Sequence, residues 1–392
     1  MFRLTRILRQ ILADPPFGGA EVPLESIVPA IPTAPVVVWN LIRRCNLECL
    51  HCYSSSSGRH FDGELTTVEV FGVLEDLRGL GVPALILSGG EPLLRPDLFE
   101  IAKRAKGMGF HLALSSNGVL IDAVAAGRIR DAGFDYVGVS LDGAPARHDR
   151  MRGKAGAFGE ALTGLSHLRQ LGLNTGIRFT QTSENVGDLP FLLELMRNEG
   201  IERFYLSHLN YSGRGAALRS EAPSMEAVRH NLTQLFDLAL LDAQSGSRRE
   251  MVTGNNCADG PWLLRWVEQR LPERRHRAEA LLRAWGGDAS GVGIANIDNR
   301  GNVHPDIFWW NHTLGNVRQR PFSAIWRDND DELLVGLRQR PRPVKGRCGG
   351  CQYLPICGGN TRVRAHQLTG DPWAEDPGCY LTDEEIGWSG GG

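Results

Sequence analysis

The sequence has little cysteine, almost no net charge and no apolar run long enough to cross a bilayer. Only eight of its 392 residues are cysteine, which excludes the dense disulfide frameworks of small secreted domains. A formal net charge of −2 gives no bulk attraction to nucleic acid or to anionic lipid. Without a stretch of about 20 apolar residues, no membrane span is predicted. The opening residues, MFRLTRILRQILADPP, lack the apolar core and cleavage site of an export signal, so we expect a cytoplasmic protein.

The most informative pattern that is present is a cysteine triad after an apolar run. Cys45, Cys49 and Cys52 have the spacing C-x3-C-x2-C and follow APVVVWNLI. Three thiolates can hold a four-iron cluster and leave one iron without a protein ligand, whereas electron-transfer clusters usually have four cysteine ligands. Zinc is the main alternative, because Cys-x2-Cys pairs are common zinc ligands. Three cysteines at these two spacings fit zinc poorly.

The triad resembles that of the radical S-adenosylmethionine (SAM) enzymes. In that family the methionyl amine and carboxylate of SAM chelate the open iron, and one electron from the cluster releases a 5′-deoxyadenosyl radical. The resemblance therefore implies a SAM-binding [4Fe-4S] cluster on Cys45, Cys49 and Cys52. These three cysteines would be the catalytic residues.

The middle of the chain alternates short apolar runs with amphipathic segments. Nearly continuous apolar or β-branched runs predict strands buried on both faces of a parallel sheet, and they cover residues 35–42, 84–89, 111–116, 136–141, 174–180 and 203–209. The predicted helices between them cover residues 67–80, 97–108, 121–132, 157–171 and 188–199. Thr66 and Glu69 predict a capping box at the start of the first helix. Six β-then-α steps with right-handed crossovers predict a partial (β/α)6 TIM barrel of the radical SAM type.

We expect four segments along the chain. They are residues 1–34 (an N-terminal extension), 35–215 (the barrel), 216–290 (a helical connection) and 291–392 (a cysteine-bearing domain with a flexible tail). The connection contains helical patterns over 224–243 and 261–285. The last segment begins with GVGIANIDNRGNVHP, which predicts a hairpin with its turn at residues 298–301.

Polar motifs follow the predicted strands at the edge where parallel barrels place their chemistry. Gly89 and Gly90 would let the SAM ammonium group approach backbone carbonyls, because no Cβ stands in the way. Glu91 could add a carboxylate to that positive charge. Hydroxyl, amide and carboxylate groups at the next two strand ends suit a ribose diol and a sulfonium, and they belong to Ser116, Asn117, Ser140 and Asp142. Each of these residues is also ordinary in loops.

Two arginines are candidates for binding the SAM carboxylate. Arg152 lies in HDRMRG, and Arg178 lies inside the fifth predicted strand. An arginine within an apolar strand needs a partner if it is buried, which makes Arg178 the more informative of the two. Surface exposure is the plain alternative for Arg152.

Four further cysteines lie near the C-terminus. Cys348-x2-Cys351-x5-Cys357 is followed by Cys379, and the spacing alone leaves a second cluster and a zinc site open. Beside a radical SAM core, the pattern resembles the auxiliary-cluster domains of the SPASM/twitch subgroup, which implies a second [4Fe-4S] cluster. Full SPASM domains hold two auxiliary clusters, and they often carry a cysteine where this chain has Asp306 after GNVHP. We therefore expect one auxiliary cluster at most.

The last third of the chain carries the most specific resemblance. The segments TGNNCADGPWLL and GIANIDNRGNVHPDIFWWNHTLGNV and the terminal cysteines are similar to the radical SAM proteins of heme d1 biosynthesis. The resemblance implies removal of two propionate side chains from 12,18-didecarboxysiroheme, toward oxo groups or a lactone precursor, with a flavodoxin or ferredoxin as reductant. A carboxylate-bearing macrocycle needs an apolar slot, cationic clamps and an axial ligand, for which the candidates are His208, Tyr211, Arg214 and Trp310.

Other functions stay open. A similar two-cluster plan serves heme synthases, which oxidatively decarboxylate coproheme propionates, and the radical SAM enzymes that mature peptides or sulfatases. The non-enzyme alternative is an iron–sulfur electron carrier or a zinc-stabilised binding module. Cys257 stands apart from both cysteine clusters. We expect it to be a buried core thiol, with a substrate-site residue or a cluster ligand as the alternatives.

Overall fold

The structure is a computed structural model that describes residues 1–13, 23–24, 27, 30–328 and 330–390. Within these residues one sheet contains the strands β1 (Phe2–Arg3), β2 (Val36–Asn40), β3 (Ala84–Ser88), β4 (His111–Ser116), β5 (Tyr136–Ser140), β6 (Thr175–Gln181), β7 (Arg203–His208), β8 (Glu250–Gly254), β9 (Ile294–Ile297), β10 (Asn302–His304) and β11 (Gly315–Asn316). Their order across the sheet is β1-β8-β7-β6-β5-β4-β3-β2-β9-β10-β11.

Strands β2 to β7 form the centre of the sheet, where each pairs in parallel with the next along the chain. All six were predicted within two residues at each end. Val37, Trp39, Leu85 and Leu87 are fully buried, as expected for strands covered on both faces. Residues of every strand from β2 to β8 line one cavity, so the sheet curves around it. The prediction of a partial barrel of the radical SAM type is confirmed.

Helices cover the outer face of the sheet. Those of the described residues are α1 (Leu4–Leu12), α2 (Thr67–Leu80), α3 (Leu98–Gly107), α4 (Ala123–Asp131), α5 (Pro145–Arg152), α6 (Ala157–Gln170), α7 (Leu189–Asn198), α8 (Met225–Gln244), α9 (Asp259–Arg270), α10 (Arg275–Trp285), α11 (Phe322–Arg327), α12 (Glu332–Arg338), α13 (Gly346–Gly349), α14 (Leu354–Cys357), α15 (Arg362–Thr369) and α16 (Asp383–Ile386). Helices α2, α3, α4, α6 and α7 match the five predicted ones. The Thr66–Glu69 capping box at the start of α2 is also present.

Helix α5 was not predicted, because its sequence PARHDRMR has no apolar period. Pro145 at its first position suits a helix start. Three of its side chains are buried, those of His148, Met151 and Arg152. This helix is therefore held in place by polar contacts with the cavity wall, which periodicity does not reveal.

The expected helical connection, residues 216–290, also contains a strand. Strand β8 pairs in parallel with β7, and β1 pairs antiparallel with β8. The Glu250 carboxylate accepts from Arg3 at 2.5 Å and from Arg203 at 3.0 Å, so the N-terminal segment is joined to the barrel edge. The single helix expected over 261–285 is instead α9 and α10, separated by a 3-10 turn at Pro272–Arg274.

The C-terminal part continues the sheet on its other edge. Strand β9 pairs in parallel with β2 and forms with β10 the predicted hairpin. Gly301 occupies the turn with φ +86°, a conformation that favours glycine. The N-terminal strand β1 and the C-terminal strands β9 to β11 belong to the same sheet as the barrel strands. The division into four segments stays a prediction. Among the residues described, no helix has both the length and the apolar character needed to cross a membrane.

Candidate active site

The cysteine triad lies on the loop that follows β2, and two glycines after β3 pack against that loop. A Cβ on Gly89 would lie 2.4 Å from the carbonyl oxygen of Ile42, and a Cβ on Gly90 would lie 2.3 Å from that of Arg44. Backbone hydrogen bonds fix this contact, from Gly90 N–H to Ile42 O at 2.7 Å and from Glu91 N–H to Arg44 O at 3.0 Å. Both glycines are therefore needed to seat the cysteine loop, because any side chain would meet backbone.

All three thiols of the triad line one large cavity on the inner side of the barrel. The backbone N–H of Leu47 donates to Cys45 Sγ at 3.4 Å, and that of Ser56 donates to Cys52 Sγ at 3.4 Å. Such donors stabilise thiolate or sulfide charge. Burial raises the pKa of Cys45 to about 12, so a metal bound there would have to displace a proton.

Arg152 links Cys49, the remaining cysteine of the triad, to the buried carboxylate of Asp142. Its Nη1 lies 3.6 Å from Cys49 Sγ, and its Nη2 forms a 2.6 Å ion pair with Asp142. Asp142 is fully buried, accepts from Thr180 N–H at 2.9 Å and lies 3.2 Å from His51 Nε2. Burial opposes its ionisation, but Arg152 and His51 hold the pKa of Asp142 below its ordinary value. In the described structure Arg152 forms the cavity wall with Asp142 behind it, so Asp142 is placed to orient Arg152, and its expected contact with SAM stays a prediction.

Glu91 is placed in the same indirect way. Its carboxylate accepts from Ser116 Oγ at 2.9 Å, from Asn117 N–H at 2.8 Å and from Leu93 N–H at 3.2 Å. Burial raises its pKa to about 7 despite these three donors. Glu91 thus ties the end of β3 to the end of β4, and its placement gives no support to the expected contact with a SAM ammonium group.

The other predicted SAM contacts converge on the cavity. Its wall includes Gly89, Gly90, Ser116, Asn117, Ser140, Arg152 and Arg178. Asn117 Nδ2 lies 3.8 Å from Cys45 Sγ, which brings the end of β4 to the cysteine loop. Arg178 donates to Ser115 Oγ at 2.9 Å and lies over the Tyr205 ring at 5.3 Å. The Ser115 hydroxyl group and the face of the Tyr205 ring are therefore the partners that an arginine in this strand needs.

Arg214, expected to bind substrate, holds the cysteine loop and keeps one buried nitrogen, Nη2, without a hydrogen-bond partner among the described residues. Its Nε donates to Cys49 O at 2.7 Å, its Nη1 donates to Ser56 O at 2.8 Å, and its backbone N–H donates to Cys52 O at 3.0 Å. A Cβ on Gly213 would lie 2.5 Å from Cys52 O, so this loop after β7 packs directly on the triad. Arg214 does border the cavity, but its donors are largely used within the protein.

The remaining substrate candidates are placed differently from one another. His208 lies on the cavity wall, but Nδ1 is 3.1 Å from Gln181 and Nε2 is 3.0 Å from Asp259. Neither ring nitrogen is free to serve as an axial ligand. Tyr211 and Trp310 are absent from the cavity wall as the described residues form it. Trp310 stacks instead on a neighbouring histidine ring.

Two residues of the cavity wall were missed by the sequence analysis. Asn210 is 5 % exposed and lines the cavity, and neither its amide oxygen nor its nitrogen has a hydrogen-bond partner among the described residues. His51 also lines it with an unpartnered Nδ1, and burial lowers the pKa of His51 to about 4. Asn210 could have been found, since it follows a predicted strand as Ser116 and Ser140 do. His51 lies within the cysteine motif, where the thiols alone drew attention.

The four C-terminal cysteines, Cys348, Cys351, Cys357 and Cys379, line a second and much smaller cavity. Backbone donors again point at sulfur, from Tyr353 N–H to Cys351 at 3.3 Å and from Asp376 N–H to Cys348 at 3.4 Å. No three His, Cys, Asp or Glu side chains of the described residues lie close enough together for a single metal ion. The four thiols instead surround a space.

Cys257 lies on the wall between the two cavities. It is 7 % exposed and borders the large cavity, while the neighbouring Ala258 borders the small one. Burial raises the pKa of Cys257 well above its ordinary value. The thiol is buried as expected, but it faces the active-site cavity and is not enclosed in the apolar core.

Comparison with known proteins agrees with this geometry. A model of the radical SAM superfamily matches residues 39–203, from the strand before the triad to the start of β7. Pre-heme d1 synthase of Dinoroseobacter shibae is 49% identical over 394 aligned positions, covering 99% of this chain and 94% of that protein. Fe-coproporphyrin III synthase of Methanosarcina barkeri is 42% identical, covering 90% of each.

A solved structure supports the fold beyond the matched segment. Streptococcus suis SuiB bound to its precursor peptide SuiA superposes with a TM-score of 0.72 at 16% sequence identity. The match covers 90% of this chain and 77% of SuiB. The match therefore extends well beyond residues 39–203, the segment that the family model matches. At this identity the likeness concerns the fold alone.

Proposed function

Because this chain belongs to the radical SAM superfamily, we propose that it acts in heme d1 biosynthesis and removes two propionate side chains from 12,18-didecarboxysiroheme. One observation carries the proposal: 49% identity to pre-heme d1 synthase over 99% of the chain. Radical SAM chemistry itself follows from the family, which implies a [4Fe-4S] cluster and SAM. The cavity must then admit a flat macrocycle as well as SAM, and its wall extends from the cysteine loop to β8 and to the segment that follows β10.

The residues of the large cavity fit the SAM-binding cluster. Cys45, Cys49 and Cys52 would hold it, since their thiols share one wall and face amide donors. In this family the cluster and SAM together supply the 5′-deoxyadenosyl radical. Arg152 would place a positive charge beside Cys49, and Asp142 would keep it there.

The SAM contacts we propose are those on the cavity wall. They are Gly89, Gly90, Ser116, Asn117, Ser140, Arg152 and Arg178. Glu91 and Asp142 support them from behind, through the hydrogen bonds and ion pair described above. This division separates residues whose loss should weaken SAM binding directly from residues that act by positioning.

The second cysteine cluster fits an auxiliary [4Fe-4S] cluster. Four thiols around a closed apolar space satisfy all four irons from the protein, and Cys348, Cys351, Cys357 and Cys379 form such a set. We propose that it exchanges electrons with the substrate across the wall that carries Cys257. A zinc ion would need the four sulfurs about 2.3 Å from one centre, and the open space between the thiols favours the larger group.

A second candidate substrate is another iron tetrapyrrole. Fe-coproporphyrin III synthase is 42% identical over 90% of the chain, and the same cavity could serve a related side-chain reaction. We further propose a cytoplasmic location and a flavodoxin or ferredoxin as reductant, because such clusters need a reducing compartment and a source of single electrons.

The test is anaerobic reconstitution with iron and sulfide, followed by SAM, dithionite and one candidate substrate at a time. We expect 5′-deoxyadenosine in every reaction that contains SAM and reductant. With 12,18-didecarboxysiroheme, mass spectrometry should show loss of two propionate groups. Formation of Fe-coproporphyrin III as product would favour the second candidate, conversion of coproheme would indicate a heme-synthase activity, and conversion of neither tetrapyrrole would contradict the proposal. A Cys49→Ala variant prepared in parallel is the matched control for SAM cleavage.

A further inference from the structure

A second polar cluster lies on the wall of the large cavity, away from the cysteine loop. It consists of Asp288, Ser290 and Asp306, and Arg342 stands behind it. The buried Arg342 guanidinium forms a 3.0 Å ion pair with Asp288 Oδ2. Asp306 is 6 % exposed and has no ion pair with lysine or arginine in the described structure. One carboxyl group of the cluster thus has a cation and the other does not.

The hydrogen bonds of Ser290 determine where a proton must reside. Its Oγ lies 3.0 Å from Asp288 Oδ1 and is also hydrogen-bonded to Asp306 Oδ2. A hydroxyl group has one proton and can donate to only one of two acceptors. If both aspartates were ionised, Ser290 Oγ could donate to only one of them, and the lone pairs of Oγ would repel the carboxylate oxygen of the other. One carboxyl group must therefore be protonated, and Asp288 is the one that Arg342 holds as a carboxylate.

In this arrangement Asp306 is an uncharged carboxylic acid that donates to Ser290, which donates to Asp288, and it holds this proton only at pH values below its own pKa. The other groups around Asp306 are consistent with this. Its Oδ1 accepts from Phe308 N–H at 2.7 Å, and His304, the last residue of β10, is the neighbouring ionisable group along the chain. Burial and the charge of Asp288 raise the pKa of Asp306 to about 6, against the opposing effects of the hydrogen bonds with Ser290 and Phe308 and of His304.

Asn210 supplies an independent sign that a polar ligand occupies this part of the cavity. Both of its amide atoms are buried without a partner among the described residues, which is costly unless a ligand group meets them. The loop that carries Asn210 is hydrogen-bonded to the segment that carries Asp306. Ser212, two residues further along its loop, donates to Phe308 O at 2.7 Å, and Phe308 N–H is the donor to Asp306.

We propose that Asn210 and the uncharged Asp306 form a subsite for one carboxylate of the tetrapyrrole substrate. The inference rests on the proposed function. The Asn210 amide N–H would donate to the substrate carboxylate. The substrate carboxylate could lie beside Asp306 because the protonated Asp306 side chain carries no charge. An ionised aspartate in a poorly solvated cavity would repel the substrate carboxylate. Asp306 and Asn210 are thus specificity-determining residues and not members of the SAM site.

The test measures binding of 12,18-didecarboxysiroheme to the reconstituted protein by its visible absorption, at a series of pH values from 5 to 8. Affinity should fall as pH rises through the pKa of Asp306, by about tenfold for each pH unit above it, since one proton is linked to binding. Asp306→Asn, an uncharged isostere, should bind with no such slope. The methyl ester of the same macrocycle should also bind with no slope. A slope that persists in Asp306→Asn, or no slope in the wild type, would overturn the proposal.

Asn210→Asp is the complementary variant, because it keeps the size of the side chain and adds a charge. It should weaken binding of the free acid by at least about tenfold and leave binding of the ester nearly unchanged. Equal losses for acid and ester would overturn the subsite. A titration of SAM against the same variants separates the two possible carboxylates. If SAM affinity and not tetrapyrrole affinity follows Asp306 and Asn210, the carboxylate is that of SAM and the proposal is wrong.

An infrared difference spectrum of wild type minus Asp306→Asn provides a readout that needs no substrate. It should contain the C=O band of a protonated carboxylic acid at pH 5 that diminishes toward pH 8; only a carboxylate band at pH 5 would overturn the assignment. Failure of this proposal can be told from failure of the proposed function. If the tetrapyrrole binds and is converted without the predicted pH dependence, the subsite alone is wrong. If neither acid nor ester binds, both proposals are wrong.

Discussion

The two cysteine clusters of this chain line cavities that differ in size and in polarity. Around the triad, the cavity is large, and polar or charged side chains from five barrel strands, β3 to β7, line it. Around the C-terminal cysteines, the cavity is small, and its surface is apolar. Three thiols in a large cavity with polar groups on its wall leave room for a ligand that completes a metal site, whereas four thiols around a small apolar cavity leave little room. The surroundings therefore favour ligand binding at the triad over ligand binding at the C-terminal cysteines.

Each cluster nevertheless has a buried arginine–aspartate pair beside it. Arg152 pairs with Asp142 at 2.6 Å and approaches Cys49. Arg364 pairs with Asp376 through two 2.7 Å hydrogen bonds, and the N–H of Asp376 donates to a cysteine of the second cluster. At the first site the Arg152 guanidinium contacts Cys49 Sγ. At the second site the backbone N–H of Asp376 contacts Cys348 Sγ. Both pairs are buried, but Arg152 meets Asp142 through one ion-pair contact and Arg364 meets Asp376 through two hydrogen bonds, so the two sites compare a single contact with a double one.

The largest expected effect is that of Cys49→Ala. Loss of one of three thiolates leaves a cluster that the protein cannot hold, so 5′-deoxyadenosine formation should fall below detection. The fold should survive, because Cys49 lies on a loop and not in the sheet. Liquid chromatography of the reaction and circular dichroism of the purified protein check both points. Normal deoxyadenosine formation would refute the assignment of the triad.

Cys351→Ala should break the second cluster and spare the first. Iron content should fall by about four atoms per chain, the content of one cluster. SAM cleavage should remain measurable while conversion of the tetrapyrrole stops. Iron analysis, deoxyadenosine yield and substrate mass report the three quantities separately. Unchanged iron content would show that the C-terminal cysteines hold no cluster.

The sequence was sufficient for features that depend on local pattern. The six central strands follow from continuous apolar runs, and the two cysteine clusters follow from spacing. It was insufficient for features that depend on where a side chain points after the chain has folded. Glu91 and Asp142 follow the ends of β3 and β5, as ligand-binding residues do, but both lie behind the cavity wall and hold other side chains. Their strand-end position is the same as that of Ser140, and only the tertiary packing separates the roles.

Long-range contacts account for the other differences. Strand β8 is five residues long and lies in a segment of helical patterns, and it is ordered by pairing with β7 and β1. Arg214 has the composition of a substrate clamp, yet the carbonyl oxygens of the cysteine loop take up its donors. Asn210 could have been predicted as a cavity residue, because it directly follows the predicted strand 203–209.

The buried pairs give a prediction of intermediate size. Removing one partner of a buried ion pair costs about 3–5 kcal/mol of unfolding free energy, and both Asp142→Asn and Asp376→Asn should show a loss of this order in thermal unfolding of the reconstituted protein. Only Asp142→Asn should also slow deoxyadenosine formation, because only Arg152 faces the SAM cavity. Equal effects of the two variants on SAM cleavage would contradict this assignment.

The pH dependence of these two variants has a defined sign. Burial opposes ionisation of both aspartates, but the partner arginines hold the pKa of Asp142 and that of Asp376 below the ordinary value. The stabilisation is therefore present above the unfolded pKa of an aspartate, about 3.9, and is lost as pH falls through the lower folded value. The gap between wild type and variant should narrow when unfolding is measured at increasingly acidic pH.

The smallest effect is expected for Glu91→Gln. An amide can accept fewer of the three hydrogen bonds that the Glu91 carboxyl group receives, which should cost about 1–2 kcal/mol of unfolding free energy. Burial raises the pKa of Glu91 to about 7, above its unfolded value of about 4.3. The stability that this group contributes is thus present at acidic pH and lost as pH rises to 7. Glu91→Gln has no such slope, so the gap between wild type and variant should be wider at pH 5 than at pH 8. A gap that widens toward alkaline pH would mean that the carboxylate is stabilised in place, and that Glu91 could meet the SAM ammonium group after all.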